Sequence, residues 1–301
     1  MIHDKERLLY VAEENEEMYW ERVNRSLGWL GNTEEEQKER QERLKNVVVG
    51  IAGTGGIGGQ LAQRLVRLGV RNLKLADPDT FDISNMNRQM GADLEHLGKN
   101  KAEVVAEMTY AINHDVNIAV YPEGITPASA IKFVEDCDYI LDQMDFYEIA
   151  NRYALHRAFR NSERAKLIFK VPTVAHGTYI FKYTKTSMKI EDVYGIKEDS
   201  ALTPNVIKRL MERIIPHMPA YPSAEMLDKW FVELERMPIF AACPPLAEGV
   251  LAEKLAQAIT GIDTLPGVTQ IPEQPGYAFF DTLSWTTEVH SGKWWTDDTK
   301  I

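Results

Sequence analysis

The 301-residue chain is long enough for one large α/β domain or two small ones, with ample core. With 34 Lys plus Arg against 45 Asp plus Glu, the net charge of −11 argues against a general nucleic-acid surface, although a local basic pocket stays open. Two cysteines, Cys137 and Cys243, exclude a disulfide scaffold and fit a reducing compartment; the charged start Met1 to Arg7 is unlike a signal peptide, and no apolar run reaches membrane-spanning length, so a cytoplasmic protein is expected.

Positions 1–45 are charged and helix-prone, with Glu13-Glu14-Asn15-Glu16-Glu17 and the stretch Thr33 to Arg40 resembling surface helices. Asn32-Thr33 is a helix cap. By composition this is a solvated helical arm.

The apolar run Val47 to Ala52 leads into Gly53-Thr54-Gly55-Gly56-Ile57-Gly58, an amphipathic stretch Gln60 to Gly69, and a second apolar run Leu73 to Ala76 that ends at Asp77. This reads as strand, tight turn, helix and strand. Gly53 lets the chain turn, Gly55 lets backbone approach phosphate, and Gly58 lets helix pack on strand. The unpaired N–H groups and positive dipole at the helix start seat phosphate oxygens. Asp77 comes 24 positions after Gly53, close to where such folds place a carboxylate that accepts ribose hydroxyls.

The glycine pattern alone serves nicotinamide, flavin and ATP users alike. The residues beyond Asp77 narrow the choice: Pro78-Asp79-Thr80, then Ser84-Asn85-Met86-Asn87-Arg88-Gln89, then Gly98-Lys99-Asn100-Lys101-Ala102. A dinucleotide-dependent dehydrogenase has no need of an Arg and a Lys near the phosphates. Nucleotidyl transfer has, because charge builds on the α-phosphate and the departing pyrophosphate.

Gly-x-Gly-Gly-x-Gly, Asp-x-Asp-Thr, Ser-Asn-x-x-Arg-Gln and Gly-x-x-Lys-Ala together resemble the MoeB/ThiF/HesA family, adenylyltransferases related to ubiquitin-activating enzymes. The likeness starts near Asn24, is clearest over 46–160 and is thin over 185–240. It implies a Rossmann-like nucleotide-binding fold with a mixed sheet, and a homodimer. It also implies nucleotide contacts from Gly53, Gly55, Gly56, Gly58, Asp77, Asp79, Ser84, Asn85 and Asp142, with Arg88 on the phosphates and Lys101 on the α-phosphate or the activated carboxylate. Arg22-Val23-Asn24-Arg25 resembles the family's Arg-x-Asn-Arg, whose second arginine reaches a nucleotide phosphate, in some members across the dimer interface. Taken singly, Ser84-Asn85 could cap a helix, and Arg25, Arg88 and Lys101 could be surface residues.

Residues 101–113 read as an amphipathic helix, 117–121 as a short strand, Thr126 to Asp136 as another helix and Tyr139 to Leu141 as a buried strand. Asp142-Gln143-Met144-Asp145 then stands at that strand's carboxyl end, where open parallel sheets bind ligands. Asp145 is either the cap of a helix starting at Phe146 or a magnesium ligand bridging the ATP phosphates, since a hard cation takes oxygen ligands. In the family Asp-x-x-Asp-Asn the second Asp carries the metal; here Phe146 replaces the Asn.

Lys166 to Val174 and Thr178 to Tyr183 read as strands leading into the half that receives the acyl substrate. The paired Cys-x-x-Cys of most sulfur-carrier activators is missing, so structural zinc is not expected. Thr203 to Ile215 and Ser223 to Met237 read as helices, the second with Met226, Trp230 and Leu234 on one stripe. They serve as core packing, or as a specificity element or lid. Cys243 precedes a helix from Leu246 to Thr260; an unpaired Cys is usually a small buried hydrophobe, and no neighbouring cation in sequence activates it. Cys137 lies between Asp136 and Asp138, which raise a thiol pKa. Tyr277 to Trp285 reads as a closing strand, and Trp294 and Trp295 either meet another subunit or fold back.

The expected organisation is therefore a helical arm (1–45), a nucleotide-binding half (46–185) and a substrate-binding half (186–301) with a helical insertion at 186–240. The expected function is ATP- and magnesium-dependent adenylylation of a carboxylate at a peptide or small-protein C-terminus, without thioester transfer. Two rivals stay open: an oxidoreductase using NAD, NADP or FAD on the same glycine loop, and a catalytically silent nucleotide-binding scaffold. Dinucleotide rather than ATP binding would mark the first.

Overall fold

A computed structural model describes residues 9–219, 221–230 and 238–296. Apolar, β-branched runs become the parallel part of one sheet: β2 (Val48–Ala52), β3 (Asn72–Ala76), β4 (Asn117–Tyr121), β5 (Tyr139–Asp142) and β6 (Leu167–Lys170). They lie in the order β4-β3-β2-β5-β6, all in one direction. β1 (Leu9–Tyr10) adds antiparallel at the β4 edge. Beyond β6 the direction reverses: β8 (Gly177–Tyr183), β9 (Tyr277–Asp281) and β10 (Thr286–His290) continue the sheet as antiparallel neighbours, and β7 (Thr173–Val174) also pairs with β8. The result is a mixed α/β fold with a ten-stranded sheet among the described residues. The chain leaves β2 for one side of the sheet and returns through β5 to the other. That reversal opens a crevice beyond the strands' carboxyl ends.

Both faces are covered, which is why β2 and β5 read as near-continuous apolar runs. α3 (Gly58–Leu68) buries Leu61, Ala62, Leu65 and Val66 and stops at Gly69, whose φ of +109° suits a residue without a side chain. The N-terminal helices α1 (Glu16–Leu27) and α2 (Glu34–Asn46) are capped by Asn15 and Thr33. They lie against α3 through buried Tyr19, Val23, Gln41 and Leu44. Tyr19 donates to the Gly69 carbonyl at 3.1 Å and Gln41 to the Leu68 carbonyl at 3.0 Å. α4 (Lys101–Tyr110) begins at an Asn100 cap. α10 (Cys243–Thr260) brings Leu251, Leu255 and Ile259 onto the same core as α2 and α3.

Several elements differ from the sequence reading. The helix expected over Thr126 to Asp136 shortens to α5 (Ala130–Val134), because the Thr126 and Ser129 hydroxyls accept each other's backbone N–H and hold a turn. α6 (Ile149–Asn161) starts at Ile149 rather than Phe146. α10 starts at Cys243 rather than Leu246, with its prolines in the first turn where a missing N–H costs nothing. The closing strand ends at Asp281, whose side chain accepts from Ser284 and turns the chain back into β10.

In the segment after β8, α7 (Ile190–Tyr194) and α8 (Pro204–Ile214) sit on the core through Ile190, Val193, Ile207 and Leu210. Arg213 ties them by donating to the carbonyls of Val193 and Asp192, each at 2.8 Å. Of the helix expected over Ser223 to Met237, the structure holds α9 (Ala224–Asp228); Leu234 lies outside the described residues. Trp295 is buried under Arg213 and Trp294 meets Phe181 and Tyr277, so this pair folds back on the chain.

Candidate functional site

The glycine turn crosses the end of β2 with little room to spare. Gly53 has φ +96°, and a Cβ there would lie 2.4 Å from the Gln143 carbonyl oxygen. A Cβ on Gly58 would sit 1.9 Å from the Gly53 carbonyl oxygen, so the helix could not approach the strand. At Gly55 an added Cβ meets only the Gln89 amide, at an ordinary 3.5 Å; packing within the chain does not require glycine there. Asp77, at the end of β3, accepts the Thr54 N–H at 2.7 Å and the Asp79 N–H at 3.0 Å, stitching the turn to the neighbouring strand. Burial pushes its carboxyl up, against the lowering charge of Lys101.

Two cations flank the turn. Lys101, first residue of α4, is buried, and its ammonium lies 2.8 Å from the exposed carboxylate of Asp79. Arg88 is half-buried and donates to the Ser84 carbonyl at 3.1 Å and the Asn87 amide oxygen at 2.8 Å. Asn85 does something else: it is buried and accepts the Asp82 N–H, while Asp82 accepts the Ser84 N–H, a capping box that shapes the loop.

At the end of β5, Asp142 is fully buried. Arg152 Nε lies 2.9 Å from its Oδ2 and His156 Nε2 lies 3.3 Å away. Burial pushes this carboxyl up, but the Arg152 charge, the His156 hydrogen bond and Lys170 outweigh it and hold it far below the usual range. Burial pushes His156 down, partly offset by Asp142. Arg152 also donates to the carbonyls of Met144 at 2.7 Å and Asp145 at 2.9 Å. These bonds draw the loop away from helical geometry, so Asp145 is presented at the surface instead of capping α6.

These groups surround one cleft of about 830 Å³. Gly53, Gly55, Gly56, Gly58, Asp77, Asp79, Ser84, Arg88, Lys101, Asp142 and Asp145 line it, whereas Asn85 and Arg25 do not. Arg25 is exposed on α1. The far wall is apolar, with Val174 and Phe181 from the sheet and Ile214 and Ile215 from the end of α8. Thus the divergent segment serves the core and also bounds the cleft. Sequence reasoning did not single out Arg152, Lys170, Gln89 or Gln143, which also line it. The Gln89 Oε1 and Gln143 Nε2 atoms are buried there without a hydrogen-bond partner among the described residues. A lysine ending the apolar run Leu167-Ile168-Phe169 was the signal available for Lys170.

The cysteines are held as buried side chains. Cys243 donates to the Ala175 carbonyl at 2.7 Å, and burial pushes its thiol up. Cys137 is pushed up to about 12 mainly by burial, with Asp138 and Asp136 as smaller contributors than the sequence reading assigned. Among the described residues no cluster of three or more His, Cys, Asp or Glu could hold a metal, and no helix is long and apolar enough to cross a membrane.

The ThiF family model matches residues 25–289. The chain belongs to the ThiF family. Curated relatives of this ThiF chain include SUMO-activating enzyme subunit 2 of Dictyostelium discoideum, 30% identical over 120 residues, covering 40% of this chain and 17% of that protein. The tRNA threonylcarbamoyladenosine dehydratase of Escherichia coli K12 is 32% identical over 139 residues, 46% of this chain and 48% of that one. The sulfur carrier protein adenylyltransferase of Thermus thermophilus is 32% identical over 96 residues, 32% of this chain and 35% of that one. The matches thus span at most about half of these relatives' length. Among solved structures, PaaA superposes with TM-score 0.64 at 18% identity, covering 93% of this chain and 76% of PaaA. E. coli MccB with AMPCPP and MccA gives TM-score 0.64 at 16% identity, covering 92% and 72%. These structural likenesses establish a ThiF-type fold.

Proposed function

We propose that the cleft binds ATP and joins its adenylyl group to a carboxylate at the end of a peptide or small protein, releasing pyrophosphate. The observation that carries this reading is the convergence of the glycine turn, Arg88, Lys101 and Asp145 on one cleft at the sheet's reversal point. Relatives support it: the Thermus thermophilus protein is named a sulfur carrier protein adenylyltransferase, and E. coli MccB has been solved with ATP. In this reading a carboxylate oxygen attacks the α-phosphorus and the bond from that phosphorus to the bridging oxygen of pyrophosphate breaks.

The uncapped start of α3 offers backbone N–H groups to the phosphates. Arg88, held by its loop, faces the departing pyrophosphate, and Lys101 leaves Asp79 to face the α-phosphate and the incoming carboxylate. Fixed cations at developing charge need no reorganisation at the moment of reaction. Asp145 is an exposed hard-oxygen donor in the cleft and fits magnesium, which takes one or two carboxylates together with substrate phosphates. The ion supplies charge neutralisation on those phosphates when bound. Arg25, exposed on α1 and away from its own chain's cleft, fits a homodimer in which it reaches the other copy's nucleotide.

Pyrophosphate exchange into ATP, driven by candidate peptide carboxylates, tests the reading. Arg88→Ala is expected to slow exchange by roughly 10²–10³-fold, the scale of losing one preorganised donor. Undiminished exchange in that variant overturns the assignment.

A further inference from the structure

Lys170 ends β6, two strand positions from β2, so its backbone lies roughly 10 Å along the sheet from the glycine turn. Its side chain is buried, lines the cleft, and donates to the Tyr194 hydroxyl. No described carboxylate lies within ion-pair distance of it. Asp142, whose charge does reach it, is already bonded to Arg152 and His156. The groups around it are Asp142 from β5, Arg152 and His156 from α6, Tyr183 from β8 and Tyr194 from α7. Two strong bases, Arg152 and Lys170, thus share one buried acid. A buried cation lacking a counter-ion is costly unless a ligand brings one. Burial, then the Arg152 charge, pushes the Lys170 ammonium down, as expected of a cation short of an anion.

The other cleft lysine, Lys101, is tied to Asp79 beyond β3, on the opposite side of the turn. The two ammonium groups therefore serve different ligand atoms. We propose that Lys170, steadied by Tyr194, receives a second carboxylate of the acyl substrate, so that the enzyme selects peptides whose reacting end carries an additional acidic group. The proposal rests on the adenylylation reading for the identity of the ligand, and on Lys170 alone for its charge preference.

The test compares binding of two probes, N-acetyl-Ala-Ala-Glu and N-acetyl-Ala-Ala-Gln, to the whole chain by titration calorimetry. The wild type is expected to bind the glutamate peptide about tenfold or more tightly, the scale of a hydrogen bond to a charged group. Lys170→Met, checked for folding by its melting temperature, is expected to bind both equally; Lys170→Arg keeps part of the preference. If Lys170→Met does not fold, the wild type measured from about pH 6 to about 11 decides. The preference must have faded by the upper end of that range, above the ordinary lysine value of about 10.4, since burial and Arg152 push Lys170 down from it. Equal binding by the wild type, a preference that survives in folded Lys170→Met, or one that is unchanged to about pH 11 overturns the proposal. ATP–magnesium is titrated alongside: its failure to bind wild type would sink the adenylylation reading while leaving an observed acid preference intact.

Discussion

Arg152 Nε lies 2.9 Å from Asp142 Oδ2, and neither side chain is exposed. The same guanidinium holds the carbonyls of Met144 and Asp145, so a buried ion pair under the cleft fixes the loop that presents the exposed Asp145. Breaking one partner leaves an uncompensated buried charge. Arg152→Leu is therefore expected to destabilise the fold by about 3–5 kcal/mol, read from the urea midpoint with an unchanged slope.

The pair also sets an acid limit. The Asp142 carboxyl titrates lower in the folded chain than in the unfolded one, so its stabilisation is complete above the unfolded value of about 4 and disappears as pH falls through the folded value. Urea midpoints of the wild type should decline below about pH 4. Glu16 is held at about 2 by hydrogen bonds from Lys45 and Arg71, yet its side chain is 54% exposed, and its share stays under about 1 kcal/mol. Asp142→Asn should flatten the acid limb far more than Glu16→Gln.

The two glycines of the turn should part company. Gly58→Ala drives a methyl into the Gly53 carbonyl and is expected to lower the melting temperature sharply. Gly55→Ala meets only the Gln89 amide at 3.5 Å. It should fold like wild type and yet lose most of the ATP-induced thermal shift.

Asp145 is exposed, so Asp145→Asn should leave the urea midpoint in place. Its effect belongs in the magnesium dependence of pyrophosphate exchange. The half-saturating magnesium concentration is expected to rise by about tenfold or more.

Both thiols are buried and titrate high. Neither should react with Ellman's reagent at pH 8 in the native protein, and both should react in denaturant. Cys243→Ala should retain both pyrophosphate exchange and transfer of the acyl group to its final acceptor; loss of transfer with exchange intact would instead point to a thioester at this cysteine.

The parallel strands, the glycine turn and the stretches that carry Arg88 and Lys101 are legible in the amino-acid order, because their signals are local. An apolar run, a residue needing positive φ at Gly53 and a Pro at the start of α8 each reveal themselves within a few positions. The same locality leaves alternatives open. Asp145 reads equally as a helix cap or a magnesium ligand until Arg152, seven residues on, takes the carbonyls of Met144 and Asp145 and the helix starts later. Asn85 reads as a cap or a phosphate contact until its amide oxygen accepts the Asp82 N–H. Packing alone reveals that Asp142 faces Arg152 and His156, and that Lys170 ends its strand beside them with no carboxylate of its own among the described residues. Those contacts join β5, β6, α6 and α7. Whether a charge is paired, exposed or left wanting an anion depends on packing between segments that the chain order keeps apart.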